Sequence, residues 1–232
     1  MQPYFYPYLP YFALLAGAST FVIFDCVQFS RRGRVHRSEV TKSEGRPKWL
    51  TLPLAAQPRD ILIRDLRFAA EATAEFDRRL RSNPVIRDIM HRLPQAVRDH
   101  LTSDLQDPAD YLEQGLRIIT DLLKFQPRIV RSSTFVIPDD VRGQDRVIAL
   151  ARASGAGSYL NAAGGADLYD SAKFAKAGLT LEFLPNYTGR HWHLLSALAK
   201  ADLNDLALEA RQIAAMRQSR PALKPGFAIA LR

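Results

Sequence analysis

The sequence has one cysteine, few lysines and no long apolar run. Cys26 is the only cysteine, which excludes an intrachain disulfide and favours a reducing compartment. No stretch approaches the roughly 18 consecutive apolar residues that a membrane-spanning helix needs. The apolar opening, residues 1–18, lacks a basic region and contains three prolines, which argues against a signal peptide. We therefore expect a cytoplasmic protein without a membrane span.

The charge balance is basic, with 32 Lys+Arg against 24 Asp+Glu and a net charge of +8. This balance favours anionic partners, such as a nucleotide-sugar, a carrier-linked acyl group or a carrier protein. Only seven of the 32 basic residues are lysine, a bias that GC-rich coding also produces, so the charge alone decides little. The sequence has no run of five like charges and no RNA-recognition aromatic signature, so we do not expect a nucleic-acid partner.

Several common catalytic and cofactor motifs are also missing. The sequence contains no GxSxG, no Walker A and no GxGxxG motif. His191 and His193 flank Trp192 at a spacing that suits a metal on a strand, but no matching set of Cys, His or carboxylate residues accompanies them. We expect neither a metal nor a cofactor.

Hydrophobic periodicity predicts strands that alternate with helices, which is typical of an α/β fold with a mixed or mostly parallel sheet flanked by helices. We expect one domain over residues 1–232, with a helical insert at about 69–125, a polar turn at 41–48 and a loose tail at about 219–232. The predicted strands are 21–24, 27–30, 49–54, 61–68, the start of 129–135, 158–160 and 179–184. The predicted helices are 13–17, 69–81, 85–92, 94–101, 109–124, 143–153, 171–177 and 193–216.

The first twelve residues contain three prolines and four tyrosines, so the backbone there is stiff and not helical. One interpretation is a proline-rich turn whose aromatic rings pack on the core. The other is an aromatic pocket for a sugar or a nucleotide base, to which Gln2, Tyr4, Tyr6 and Tyr8 would contribute.

A carboxylate follows the apolar run 21–24, and in α/β folds the ends of buried strands open into ligand crevices. The basic stretch after it could converge on the same crevice, with arginines binding phosphate or carboxylate and a histidine serving as base. A solvated basic hairpin is the competing interpretation. The candidate residues are Asp25, Gln28, Arg31, Arg32, His36 and Arg37.

Two further features are weaker. Cys26 follows Asp25 directly, so on a strand the two side chains would point to opposite faces, and a buried structural cysteine is favoured over a nucleophile. The turn from Asn161 to Gly165 could hold an anion on its backbone N–H groups, although many glycine turns bind nothing.

Taken together, these segments resemble the WbqC-like protein family, which opens with a QPYFFPYIGYF-type motif. The resemblance covers most of the chain apart from its helical middle. The matching segments are Gln2–Phe12, FDCVQ at 24–28, RRGRVHRS at 31–38, WLTLP at 49–53, Arg131–Ser133 and GSYLNAAGGADLYD at 157–170. Asp25, Gln28 and Arg37 keep the family pattern. The departures are Cys26 for Asp, Arg31 for Lys, Arg34 for Trp, His36 and Ser38 for Asn, and Pro10 for Gly.

The resemblance implies a transferase of bacterial surface-polysaccharide (O-antigen type) or specialised-metabolite biosynthesis. It also implies a short strand before Gln2, without which the fold should be weaker, and it adds Ser132 and Asn161 to the site. The favoured hypothesis is transfer of an aminoacyl or acyl group to an amine of a sugar-like acceptor.

In this hypothesis Asp25 or His36 is the base, and Arg31 and Arg37 hold phosphates. Gln2 and Tyr4 orient the acceptor, and all of these groups face one cleft. Tyr8, Gln28, Ser132 and Asn161 are the remaining substrate contacts. One alternative is a non-catalytic protein that binds a carrier protein or an anionic glycan through its basic face. Another makes Cys26 an acyl-accepting nucleophile.

Overall fold

The computed structural model describes residues 1–44 and 46–219. It confirms an α/β fold, with small parallel and mixed sheets flanked by helices. The strands are β1 (Thr20–Ile23), β2 (Arg37–Ser43), β3 (Arg46–Thr51), β4 (Arg128–Arg131), β5 (Ser158–Asn161), β6 (Thr180–Phe183) and β7 (Gln218–Ser219). The helices are α1 (Leu9–Gly17), α2 (Ala72–Ser82), α3 (Pro84–Ile89), α4 (Gln95–Leu101), α5 (Pro108–Leu122), α6 (Gly143–Ala153), α7 (Ser171–Lys176), α8 (Leu194–Lys200) and α9 (Leu203–Ala215).

Among the described residues, three small sheets take the place of the single sheet that the alternation suggested. β1 pairs with β4 in parallel, and β2 pairs with β3 as an antiparallel hairpin. In the third sheet β5 is parallel to β6, and β6 is antiparallel to β7. The carboxyl ends of β1 and β4 therefore lie side by side, which positions the residues after Ile23 and Arg131 next to each other.

Helix α1 begins earlier than predicted because Pro10 fits the first turn of a helix, where its missing N–H costs nothing. Its residues from Leu9 to Leu15 are all buried, and it packs against α9. A Cβ on Gly17 would lie 3.0 Å from the Leu160 side chain and 3.2 Å from Ala214, so glycine permits this close approach.

The middle of the chain is helical, as predicted, but the structure does not confirm it as an insert. Phe76 and Leu116, from α2 and α5, belong to the same buried core as Phe5 and Ile23. A smaller apolar cluster packs around Phe174, beside β6. The helices of residues 72–122 thus contribute to the main core.

Three local predictions are wrong, namely the strands at 27–30 and 61–68 and the turn at 41–48. Residues 27–30 and 61–68 are not continuous strands, since they meet only through an isolated bridge between Gln28 and Leu62, and residues 63–65 form a 3₁₀ turn. Most of the predicted turn at 41–48 is strand, because β2 continues to Ser43 and β3 begins at Arg46. The loose tail predicted at 219–232 lies outside the described residues except for Ser219, which pairs in β7.

The Met1 backbone is hydrogen-bonded to the segment of β1. Its amino group donates to the Val22 carbonyl at 2.9 Å, and its own carbonyl accepts from the Phe24 amide at 2.7 Å. Burial lowers the pKa of this amino group from 8.0 to about 5. A cavity of about 360 Å³ continues from Met1 between β1 and β5, lined among others by Phe21 and Tyr159.

Candidate functional site

Asp25 lies two residues beyond the end of β1, and Ser132 directly follows the end of β4. The two strands are parallel, so their carboxyl ends meet at one edge. Asp25 is 1% exposed, and so is Ser132, although the two residues are 107 positions apart in the chain. A buried carboxylate therefore lies just beyond the carboxyl ends of the two parallel strands.

The Asp25 carboxylate accepts three hydrogen bonds. Ser132 Oγ donates to Oδ1 at 2.7 Å, the Ser133 backbone amide donates to Oδ1 at 2.9 Å, and Ser133 Oγ donates to Oδ2 at 2.6 Å. A buried carboxylate is costly unless such donors replace its water shell. Ser133 itself is exposed, so its hydroxyl connects the buried carboxylate to the surface.

Cys26 joins the same cluster. Its Sγ lies 2.9 Å from Ser132 Oγ and 3.4 Å from Arg146 Nε, which donates to the sulfur. The expectation that Asp25 and Cys26 point to opposite faces is wrong, because β1 ends at Ile23 and strand alternation no longer applies after it. We call Asp25, Cys26, Ser132, Ser133 and Arg146 the Asp25 cluster.

Gln28 and Arg31 lie at a second place, a cavity of about 590 Å³. Its other lining residues are Phe29, Ser30, Arg32 and Arg59. We call it the arginine cavity. Arg31 donates to the Gln57 carbonyl at 2.6 Å, and Gln28 Nε2 donates to the Arg59 carbonyl at 2.8 Å.

His36 lines an adjoining cavity of about 370 Å³, which shares Phe29 and Arg31 with the arginine cavity. Burial, with Arg37 and Arg79 nearby, lowers the pKa of His36 from 6.5 to about 4, so the imidazole is neutral at pH 7. Its Nδ1 is buried without a hydrogen-bond partner among the described residues.

Arg37 is engaged within the chain. Its Nε donates to the Gly33 carbonyl at 2.9 Å, and its guanidinium also donates to the Arg32 carbonyl. The guanidinium carbon lies 4.3 Å from the centre of the Trp49 ring. These contacts hold the loop before β2. Arg37 therefore has a structural role, which differs from the phosphate binding predicted for it.

The amino-terminal aromatics divide between core and surface. Phe5 and Tyr6 are buried, as the packing interpretation requires, whereas Tyr4 and Tyr8 are half-buried. Tyr8 lies 5.4 Å from the Trp192 ring, and the Arg34 guanidinium lies 5.5 Å from the Tyr8 ring. Tyr8 therefore contacts Trp192 and Arg34, which are not members of the Asp25 cluster.

Glu39 is a residue that sequence reasoning missed. It is 8% exposed, and its Oε2 accepts from Arg34 at 2.9 Å. Its Oε1 lies 4.0 Å from His193 Nδ1, and neither atom has a hydrogen-bond partner among the described residues. No sequence pattern singled out Glu39, since its burial depends on the β2–β3 hairpin packing against other elements.

The comparisons with known proteins add one decisive observation. The model of the WbqC-like protein family matches residues 2–195. The chain belongs to the WbqC-like protein family. Comparison with curated proteins gave no match, and comparison with solved structures gave none. The part of the chain matched to the WbqC-like family contains both the Asp25 cluster and the arginine cavity.

Within this WbqC-like chain, the structure brings together only some of the predicted site residues. Asp25 contacts Ser132, while Gln28 and Arg31 share a cavity. His36 is linked to the arginine cavity through the shared Arg31. Gln2 is half-buried, and its carbonyl accepts from Tyr11 Oη at 2.7 Å.

Asn161 closes β5, is 6% exposed, and accepts from the Ala162 amide through Oδ1 at 2.8 Å. A Cβ on Gly165 would come within 2.6 Å of Asn161 Nδ2, so this glycine lets the loop fold over the amide. The turn therefore places Asn161 inward, away from the surface where an anion would bind backbone N–H groups.

Ser133, Arg146 and Arg59 are further residues that the sequence did not assign to the site. Ser133 could have been found from its position directly after a predicted strand, next to Ser132. Arg146 and Arg59 carry no local signal, because only tertiary packing brings them to Cys26 and to the arginine cavity. In the described part of the chain, no helix is long and apolar enough to cross a membrane. The same residues include no group of three or more His, Cys, Asp or Glu placed for a metal ion.

Proposed function

We propose that this WbqC-like protein is a transferase that moves an aminoacyl or acyl group to an amine of a sugar-like acceptor. The Asp25 cluster is the observation that carries the proposal. It places a buried carboxylate and an exposed hydroxyl, Ser133, at the carboxyl ends of two parallel strands, where α/β folds place their ligands.

In the proposed reaction the acceptor amine attacks the carbonyl carbon of a thioester donor. A C–N bond forms, and the amine proton passes through Ser133 Oγ to Asp25 Oδ2, 2.6 Å away. The C–S bond then breaks, and the proton returns through Ser133 to the leaving thiolate. Asp25 thus ends the cycle as it began.

His36 is the other candidate base. Its neutral imidazole can accept a proton at Nε2, although its pKa of about 4 makes it a weak base. His36 lines the cavity that adjoins the arginine cavity. Asp25 lies instead in the Asp25 cluster, where it accepts a hydrogen bond from Ser132. The contacts proposed for Gln2, Tyr4, Tyr8, Gln28, Arg31, Arg37, Ser132 and Asn161 remain predictions about the substrate.

Variants at both bases test the proposal. The wild-type protein is incubated with a glycyl or acetyl pantetheine thioester and a UDP-linked amino sugar, and the amide product is measured by mass spectrometry. We expect Asp25→Asn and Ser133→Ala to lower the rate by about 10²–10⁴-fold, as for removal of a general base. Asp205→Asn, an exposed carboxamide substitution on α9, is the matched control.

The outcomes separate the two bases. Ser133 is exposed, so Ser133→Ala should fold even if Asp25→Asn does not, and circular dichroism checks both. Full activity in a folded Asp25→Asn protein, with loss in His36→Gln, would move the base to His36. No amide product from any donor would contradict the transferase itself.

A second candidate function is non-catalytic binding of a carrier protein or an anionic glycan. The exposed guanidinium groups of Arg31, Arg32 and Arg59 favour it. Binding governed by exposed charges should weaken steeply between 50 and 300 mM salt, because counter-ions screen the attraction. Such binding without turnover would support this function over the transferase.

A further inference from the structure

We infer that the arginine cavity binds the diphosphate group of a substrate, with Arg59 and Arg32 as its main ligands beside Arg31. The inference deepens the proposed function by naming the anionic group of the acceptor. It rests on the proposed function only for the role of the bound ligand in the reaction, because binding of a diphosphate needs no acyl donor.

The shape and lining of the cavity support a small anionic ligand. Its volume of about 590 Å³ lies within the roughly 300–1,000 Å³ of small-molecule sites. Three of its six lining residues are arginines, and none is acidic. A cationic pocket of this size suits a phosphorylated small molecule better than a flat protein surface.

Two of the three guanidinium groups are unoccupied. Among the residues that the structure describes, the side chains of Arg32 and Arg59 have neither a hydrogen bond nor an ion pair. The neighbouring Arg64 and Arg67, by contrast, pair with Asp65 and Asp107. Arg32 and Arg59 are therefore available to an external anion.

The two walls of the cavity are held in register by backbone bonds. The Phe29 amide donates to the Ile61 carbonyl at 2.8 Å, and the Ile63 amide donates to the Val27 carbonyl at 3.0 Å. Gln28 ties its amide to the Arg59 carbonyl at 2.8 Å. The backbone of Arg59 is thus tied to the segment that carries Arg31 and Arg32, so little of the binding energy goes into ordering the backbone.

The charge and the adjoining cavity favour a diphosphate over a single phosphate. Guanidinium groups bind phosphate oxygens in pairs, and three of them match two linked phosphates better than one. The cavity that shares Phe29 and Arg31 leaves room for a group attached to the diphosphate, and His36 is among its lining residues.

Calorimetric titration at 150 mM salt tests the inference, with inorganic pyrophosphate and inorganic phosphate as the first probes. We expect pyrophosphate to bind at least tenfold more tightly than phosphate. Arg59→Ala and Arg32→Ala should each weaken pyrophosphate about tenfold or more. Arg152→Ala removes an exposed arginine from α6 and should leave the affinity unchanged.

Two further probes identify the source of the diphosphate. UDP represents a nucleotide-sugar and geranyl diphosphate a lipid carrier, and tighter binding of either one supports the inference and names the attached group. Equal binding of phosphate and pyrophosphate, or equal loss in Arg59→Ala and Arg152→Ala, would overturn it in favour of a diffuse positive surface. Pyrophosphate binding in a protein without transferase activity would leave this site standing and reject the proposed function.

Discussion

The buried amino group of Met1 should make stability depend on pH. Its pKa is about 5 in the folded chain and 8.0 when solvated. The folded state therefore holds this group neutral at pH 7, while the unfolded state binds a proton. Because the unfolded chain binds more protons between these values, the free energy of unfolding rises as pH rises from 5 to 8.

The size of the effect follows from the shift. Three pKa units correspond to about 4 kcal/mol at and below pH 5, and to about 1–2 kcal/mol at pH 7. Above pH 8 the contribution disappears, because both states are neutral. The penalty arises at a single atom, which donates to the Val22 carbonyl beside the cavity between β1 and β5.

Moving the amine away from this position should remove the penalty. Fusing the residues Met-Thr-Val-Thr ahead of Met1 converts the amino group into an amide, which still donates to Val22. We expect Tm to rise by about 3–6 °C at pH 7, using roughly 2–4 °C per kcal/mol for a chain of this size. The gain should be larger at pH 5.5 and nearly absent at pH 9.

The assay is thermal unfolding followed by circular dichroism at pH 5.5, 7 and 9. A Met-Gly-Ser-Gly extension is the control, since it removes the buried amino group without favouring a strand. Both extensions should raise Tm by the same pH-dependent amount. Any additional rise of Tm with Met-Thr-Val-Thr would report the pairing of a strand in the cavity. A Tm gain that is the same at pH 5.5 and pH 9 would refute the electrostatic origin.

Two other predictions concern His100 and Cys26. His100 is 3% exposed, accepts from Tyr6 Oη at Nδ1 (2.8 Å), and contacts the Tyr111 carbonyl through Nε2 (3.0 Å). Burial lowers its pKa from 6.5 to about 4, so stability should fall as pH drops from 6.5 to 4. In urea unfolding, the free energy of unfolding of His100→Phe should fall less between pH 6.5 and 4 than that of the wild type. A pH profile that the substitution leaves unchanged would contradict the assignment of this pH dependence to His100. If Cys26 accepts an acyl group, intact mass after incubation with the thioester donor should show an adduct that Cys26→Ser lacks; an unmodified wild-type protein would exclude this role.

Local sequence signals predicted the elements whose pattern is local. The helix over 143–153 was predicted with its observed bounds, because its apolar periodicity and its glycine-rich end are both within the segment. Strand β1 and the carboxylate that follows it were likewise readable from four apolar residues and one Asp. The resemblance to the WbqC-like family was likewise visible in local motifs, and the family model matches residues 2–195.

The remaining elements depend on which segments of the chain pair with each other. Residues 27–30 and 61–68 have strand-like composition, yet they form only isolated bridges because neither finds a continuous neighbour. Residues 41–48 look like a turn, yet β2 and β3 extend through most of them because each strand supplies the other's hydrogen bonds.

The site shows the same division. Asp25 could be singled out from the sequence, but Ser133 reaches it across 108 residues through the parallel pairing of β1 and β4. Arg37 has the residue type for binding phosphate, yet its guanidinium binds carbonyls of its own loop and stacks on Trp49. Residue type and local order determined which groups this chain possesses. Only the tertiary structure decided which of them meet, since distant contacts depend on strand pairing and packing that no local segment encodes.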